Sequence, residues 1–317
     1  MPVVPSRSES RRGLLAALAA YTLWGILPLY FVLLAGINPF EIVAWRIVLT
    51  LVFCAILITA MRQWDEVARV LRDRRLLGRL ALAGVVIYIN WQTYVVASTS
   101  GHVLDASLGY FINPVVTILL AVLLLGERLG LVQWLALGAT VVAFGIIAFG
   151  YGTFPWVALV LALSFGYYGF VKKDVGGRVS ALPGLFVETL VLTPVALGIL
   201  GVLGATRGLD AFTAEPAELA LLACAGIATA IPLLLFAASA RRISLTALGF
   251  TQYLAPSIMF ALGWLVLGEH IPVARWIGFA VVWAALLVLS VETLRGARRS
   301  RHSGPDGDAA SEPGPGG

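Results

Sequence analysis

Three ionisable residues stand inside otherwise apolar stretches of this chain, Arg46, Asp105 and Glu188. Each costs roughly 2.5–3.5 kcal/mol at the centre of a hydrocarbon layer, so each needs a partner or a task. Arg46 lies five residues into its apolar stretch, about 7.5 Å down a helix at ~1.5 Å rise per residue. Glu41 is five residues earlier and about 140° round the helix, so Asp105, near the start of a later stretch, is the better partner. Such a pair can bind a charged solute or open as a gate; equally, it can neutralise itself and lock two helices together. A buried carboxylate at Glu188 can take up and release a proton, or simply hydrogen-bond a neighbouring helix or reach towards water.

Prolines inside long apolar stretches free backbone groups that can meet a solute. Pro114 and Pro256 occupy matching positions in two such stretches, and Gly25, Pro28, Gly166 and Gly169 mark interruptions in another matching pair. Polar and aromatic residues at mid-depth, namely Trp24, Asn90, Gln92, Tyr110, Asn113, Gln252 and Tyr253, could line a cavity between these helices. Asn90 and Tyr94 share a helical face while Gln92 points elsewhere. Mid-membrane Asn is also ordinary glue between helices. Glu127 and Glu269, each following a Gly at the end of a stretch, read as structural stops that meet water or basic neighbours.

No catalytic, metal or cofactor site is expected. His102, His270 and His302 are scattered, Cys54 and Cys224 lack metal-ligand spacing, and HExxH, G-x-S-x-G, P-loop and dinucleotide-turn motifs are absent.

The elements that must hold these residues follow from composition. Hydrophobic residues make up 60% and charged residues 12% of 317, beyond what a soluble core can bury. Runs long enough to cross about 30 Å of hydrocarbon fall at 13–35, 41–61, 76–98, 104–125, 131–149, 153–171, 183–203, 217–239, 245–267 and 272–292. They are apolar all round, so helices that satisfy their own backbone groups are expected. Of the 22 Lys and Arg, Arg46 is within a span and only Arg207 and Arg275 fall on one side. The rest gather in the N-terminal tail, the even-numbered links and the C-terminal tail, which places both termini in the cytoplasm and requires an even number of spans. A nucleic-acid partner is not expected from charge placed in this way. Residues 10–15 loosely match a twin-arginine export signal, but the stretch continues as a full span and is expected to stay uncleaved. Residues 295–317, rich in Gly, Pro, Ser and Asp, are expected to form a disordered cytoplasmic tail, and 1–12 a short cytoplasmic one.

The chain repeats itself. Asn113-Pro114, an apolar helix and Gly126-Glu127 recur as Ala255-Pro256, an apolar helix and Gly268-Glu269. Trp134 recurs as Trp276, Leu108-Gly109-Tyr110 as Leu248-Gly249-Phe250, and Ala97-Ser98 as Ala238-Ser239. Four landmarks in order at nearly constant offset predict an all-α membrane protein of ten transmembrane helices built as two five-helix repeats, 13–150 and 151–294. Five is odd, so the repeats are inverted, a layout suited to alternating access.

The blocks Leu124-Leu125-Gly126-Glu127-Arg128-Leu129 and Val266-Leu267-Gly268-Glu269-His270-Ile271 resemble the EamA-type members of the drug/metabolite transporter superfamily. The run from Ala106 through Ser107, Leu108, Gly109, Tyr110, Phe111, Ile112 and Asn113 to Pro114 narrows the resemblance to the RarD subgroup. The stretch 19–25, Glu41 with Arg46, Asn90-Trp91 and Glu188-Thr189 agree with it. The resemblance covers roughly residues 13 to 292. It implies ten helices in a bacterial plasma (inner) membrane and solute transport, typically export. His270-Ile271-Pro272 replaces Arg128-Leu129-Gly130 in the second block, so the two ends need not act symmetrically.

The expected function is secondary transport of a small organic solute, with membrane lipid as surroundings and the proton as candidate coupling ion. The residues expected to serve translocation are Trp24, Arg46, Asn90, Asp105, Tyr110, Asn113, Pro114, Glu188, Tyr253 and Pro256. An intramembrane enzyme acting on lipid needs acids, bases or nucleophiles converging on one aqueous face, and here they are spread over both. A non-transporting sensor or scaffold does not need matched helix breaks. Nothing in the sequence sets the solute or the oligomeric state.

Overall fold

The computed structural model describes residues 7–34, 36–99, 103–150, 156–266 and scattered positions between 273 and 288. The tenth expected span and the C-terminal tail therefore lie largely or wholly outside the described residues. Twelve α-helices and one 3-10 turn account for the chain up to Leu265, with no strand among the described residues. They are α1 (Arg7–Val32), α2 (Pro39–Met61), α3 (Trp64–Arg72), α4 (Arg74–Thr99), α5 (Val103–Leu125), α6 (Leu131–Gly150), α7 (Trp156–Val175) and α8 (Ala181–Thr206). The 3-10 turn Asp210–Phe212 precedes α9 (Pro216–Ala223), α10 (Ala225–Ala240), α11 (Leu245–Thr251) and α12 (Leu254–Leu265).

Among the described residues six stretches are long and apolar enough to cross a membrane: Ser8–Phe31, Pro39–Met61, Arg74–Ala97, Ala181–Thr206, Pro216–Ala240 and Leu245–Leu262. Their outward faces carry large apolar side chains, such as Ile26, Val52, Ile56, Val85, Leu197 and Val202, all exposed. In water that pattern would be unstable; against lipid tails it costs nothing. Inward faces pack large apolar side chains such as Ile47, Ile118 and Phe236, with small or polar residues such as Thr50, Thr117, Ser164, Thr229 and Gly226 set among them.

The structure differs from the sequence expectation in how the helices are divided. The link after α2 contains α3, whose Val67 and Val70 are buried while its acidic and basic residues stay at the surface, as in a helix lying at a membrane interface. Nine residues are too few to register as a span. The expected ninth span is two helices, because Pro256 has no N–H to offer the Gln252 carbonyl. That carbonyl instead accepts from the Ala255 N–H at 3.2 Å, and the chain turns through Gln252 and Tyr253 between α11 and α12. Pro114, by contrast, sits inside a continuous α5. The interruptions expected at Gly25, Pro28, Gly166 and Gly169 are not breaks, since α1 and α7 are both continuous. Gly25 and Gly166 serve close contact instead. A Cβ at Gly25 would stand 2.7 Å from the Ile258 side chain, and one at Gly166 would stand 2.8 Å from Val116.

Candidate functional site: a central aromatic cleft with one arginine

Six segments converge on one cleft between the helices. On α1, Tyr21, Trp24 and Phe31 recur at helical spacing and form one stripe. On α4, Asn90 and Tyr94 stand one turn apart with Trp91 beside them; on α5, Tyr110 and Asn113 share a face in the same way. Leu161 and Phe165 of α7 supply the opposite wall, and Gln252, Ala255, Pro256 and Met259 enter from the turn between α11 and α12. Among the described lining residues only Arg46, from α2, brings a formal charge.

Arg46 is 5% exposed. Its Nε donates to Thr229 Oγ1 at 2.9 Å, and that hydroxyl in turn donates to the Ala225 carbonyl at 2.7 Å, so the head is held from α10. The guanidinium carbon stands 5.1 Å from the Phe31 ring centroid and 4.9 Å from that of Trp91, a cation between two π-faces. The expected partner, Asp105, lies in α5, but its side chain is outside the described residues. Glu41 is not a partner: its two oxygens accept from the backbone N–H groups of Asp210 and Ala211 at 2.8 and 2.9 Å and from Trp45 Nε1 at 3.3 Å.

Both asparagines of the cleft are tethered to α7. Asn90 Nδ2 donates to the Leu161 carbonyl at 2.9 Å and to Ser164 Oγ at 3.0 Å. Asn113, with its amide in the orientation that satisfies its surroundings, donates to the carbonyls of Ala162 at 3.1 Å and Leu161 at 3.3 Å. Gln252 Nε2 donates to Thr117 Oγ1 at 3.0 Å. In this conformation these amides join helices, and the wall facing the void is mainly aromatic.

Trp24, Arg46, Asn90, Tyr110, Asn113 and Pro256 thus border one cleft. Pro114 is buried in α5 without bordering it, and Tyr253, 2% exposed, lies at the α11–α12 turn. Glu188 is elsewhere. It is 1% exposed, and its Oε1 accepts from Lys172 Nζ at 2.6 Å while Oε2 accepts from Tyr168 Oη at 3.2 Å. Lys172, which the charge count places in a cytoplasmic link, is 4% exposed within α7. One turn more or less of helix decides whether a lysine near a span's end meets water, and spacing alone does not settle that. The aromatic partners Phe31, Trp91, Tyr94 and Phe165 were also missed as a set. Their only sequence signal was aromatic spacing of three and seven on α1 and of three on α4.

At the floor of the cleft, Tyr21, Trp24 and Phe165 of its lining pack ring to ring with Tyr168 and Phe236 at 5.4–6.3 Å. Beyond them, at the end rich in basic residues, polar contacts tie the helices. Glu66 accepts from the Ser180 N–H at 2.7 Å, Arg69 donates to the Arg178 carbonyl at 3.0 Å, Arg79 pairs with Asp174, and Arg242 pairs with Glu9 at 3.0 Å. Lys173 donates to the Ile243 carbonyl. Glu127 accepts from the N–H groups of Leu245 and Thr246 at 2.7 and 3.0 Å, so its carboxylate caps the first turn of α11. Loss of such a cap costs about 1 kcal/mol. Glu127→Ala is accordingly expected to raise hydrogen exchange at the Leu245 and Thr246 amides about five-fold or more. Exchange unchanged at both amides would show that the contact does not hold this end closed.

Long apolar helices packed around a cleft define a helical membrane protein. The description "EamA-like transporter family" matches this chain twice, over residues 11–149 and 154–291. The chain belongs to that family, within its RarD subgroup. It is 46% identical over 297 residues to "Protein RarD" of Streptomyces exfoliatus, covering 93% of each chain. It is 39% identical over 303 residues to an uncharacterized transporter of Vibrio cholerae serotype O1, covering 96% of this chain and 100% of that one. A solved crystal structure with 18% identity shares the fold, with a TM-score of 0.68 over 92% of this chain and 99% of its own. The protein is a membrane transporter, embedded by several helices in the inner membrane, and its cargo is a small molecule.

Proposed function

We propose that the protein is a secondary carrier that exports a small organic solute by alternating access. In this reading ten spans form two inverted five-helix repeats, 13–150 and 151–294, and both termini are cytoplasmic. Trp24, Arg46, Asn90, Tyr110, Asn113 and Pro256 border the solute. Pro114 and the turn at Tyr253 let α5 and the α11–α12 pair change shape. Asp105 acts with Arg46 on the outer side, and protons exchanged at Glu188 drive the cycle when Lys172 withdraws.

One observation carries the reading. A single cleft is lined by helices from both family matches and is stopped on the basic side by an aromatic layer and a polar layer. A site between two related halves, closed at one end, is what a rocking exchange of conformations requires. Separation of the rings and release of α11 by Glu127 would open the other end.

The test uses the full chain in liposomes loaded with labelled cell extract. Time-dependent loss of specific solutes is expected, and Met259→Trp, which projects an indole into the cleft, should stop it while leaving the unfolding midpoint within a few degrees. Equal loss from protein-free liposomes, or flux untouched by Met259→Trp, would overturn the carrier reading. Collapse of the pH gradient should abolish solute accumulation; accumulation that persists refutes proton coupling.

A further inference from the structure

We infer that the central cleft is built for organic monoanions without a compensating cation: a carboxylate carried on a planar, largely apolar body, with Arg46 receiving the carboxylate. This rests on the reading that the cleft holds cargo, and it assigns the chemical class of that cargo.

The charge argument comes first. Arg46 is buried and is the one charged side chain among the described lining residues. Its Nε is anchored to Thr229, which leaves the two terminal amino groups with no protein acceptor among the described residues. Contacts with Phe31 and Trp91 ease the cost of burying a cation but accept no hydrogen bond. Glu41, the other buried charged group of α2, has both oxygens engaged by the 210–211 backbone. A planar guanidinium with one edge fixed and the other free fits a carboxylate in the same plane, with two charge-assisted hydrogen bonds.

The rest of the wall limits the body of the ligand. Asn90, Asn113 and Gln252 already hydrogen-bond α7 and Thr117, so beyond tyrosine hydroxyls such as that of Tyr21 the described wall offers few polar groups to a polyol or sugar. Buried hydroxyls left unpaired would weaken such a ligand. Trp24, Phe31, Trp91, Tyr94, Tyr110 and Phe165 instead offer rings to a flat apolar body. No carboxylate among the described lining residues is placed to receive an ammonium, which disfavours amines and zwitterions.

Trp24 and Trp91 line the cleft, so binding should change the fluorescence of the full chain in nanodiscs. Four probes share one aryl body: phenylacetate, phenylacetamide, phenethylamine and phenylalanine; 1-naphthylacetate and its amide give a larger body. The carboxylates should bind about ten-fold or more tighter than the matched amides, as expected for hydrogen bonds to a charged group. Phenethylamine should not compete, and phenylalanine should bind more weakly than phenylacetate. Arg46→Gln should erase the carboxylate-over-amide ratio and Arg46→Lys should retain part of it. If Arg46→Gln does not fold, the ratio in the unsubstituted protein still decides. Amides binding as well as carboxylates, a ratio that survives Arg46→Gln, phenylalanine binding at least as tightly as phenylacetate, or no saturable binding by either carboxylate would each overturn the assignment. Flux of extract solutes with no carboxylate preference removes this class and leaves the carrier. Carboxylate preference without any flux does the reverse.

Discussion

Lys172→Met is expected to destabilise the folded protein by about 3–5 kcal/mol, because it strands the Glu188 carboxylate without its cation. The pair is 4% and 1% exposed, with Nζ and Oε1 2.6 Å apart. The backbone around it is close-packed: a Cβ at Gly84 would lie 3.0 Å from the Glu188 carbonyl oxygen. Glu188→Gln alone should cost a similar amount by leaving the ammonium buried against a neutral amide and the Tyr168 ring. Lys172→Met combined with Glu188→Gln should recover most of the loss, since a buried ion pair is repaid little more than its own desolvation. Unfolding midpoints of the four proteins in one detergent, together with the fraction recovered as monodisperse protein, measure the cycle. A double variant as unstable as either single would show that the network serves packing rather than charge balance. The same cycle bears on transport. If the pair is only a strut, the double variant should still move solute; if Glu188 exchanges protons, it should lose gradient-driven accumulation.

Gly226→Ala is the second large effect, and its sign is set by two opposed terms. Alanine in a helix interior gains up to about 1 kcal/mol over glycine, an upper bound for Gly226, the second residue of α10. Here the new Cβ would stand 2.5 Å from the backbone carbon and oxygen of Leu49, atoms that cannot rotate away. Overpacking of this kind costs about 1–3 kcal/mol and is relieved only by moving helices apart. Separation of α10 from α2 would also lengthen the bond from Thr50 Oγ1 to the Gly226 carbonyl, 3.3 Å in this structure. It would pull Thr229, three residues further on, from Arg46. Lower thermal stability and solute binding weakened about ten-fold or more are therefore expected together. Gly198→Ala and Gly201→Ala in α8, where a Cβ meets nothing within 4 Å, supply the control and should be neutral or slightly stabilising. Equal effects at Gly226 and Gly198 would show that the α2–α10 contact has room to give.

Much of the architecture was legible in the chain because a bilayer reads simple quantities. Length and all-round apolarity find α1, α2, α4 and α8 nearly as they stand, since a helix in lipid has no other way to satisfy its backbone. The marking of Trp24, Arg46, Asn90, Tyr110, Asn113 and Pro256 required only that polar, aromatic and helix-breaking residues are costly or idle on a lipid face. The cleft lies against all six. What sequence spacing could not give was the far side of each contact. Glu127 and Leu245 are 118 positions apart, and Arg46 and Thr229 are 183 apart. Gly25 and Gly166 read as breaks along the chain, and only their neighbours Ile258 and Val116 show them to be points of approach.

The ionisable residues divide in the same way. Composition and hydropathy determined that Arg46 and Glu188 must be exceptional, because charge in hydrocarbon demands a reason. Tertiary structure alone decided the reasons: two aromatic faces and a hydroxyl for Arg46, and for Glu188 a lysine that charge counting assigns to water. Burial is a property of depth along one helix and is therefore written locally. Partnership depends on how helices far apart in sequence pack side by side, which no single stretch of this chain encodes.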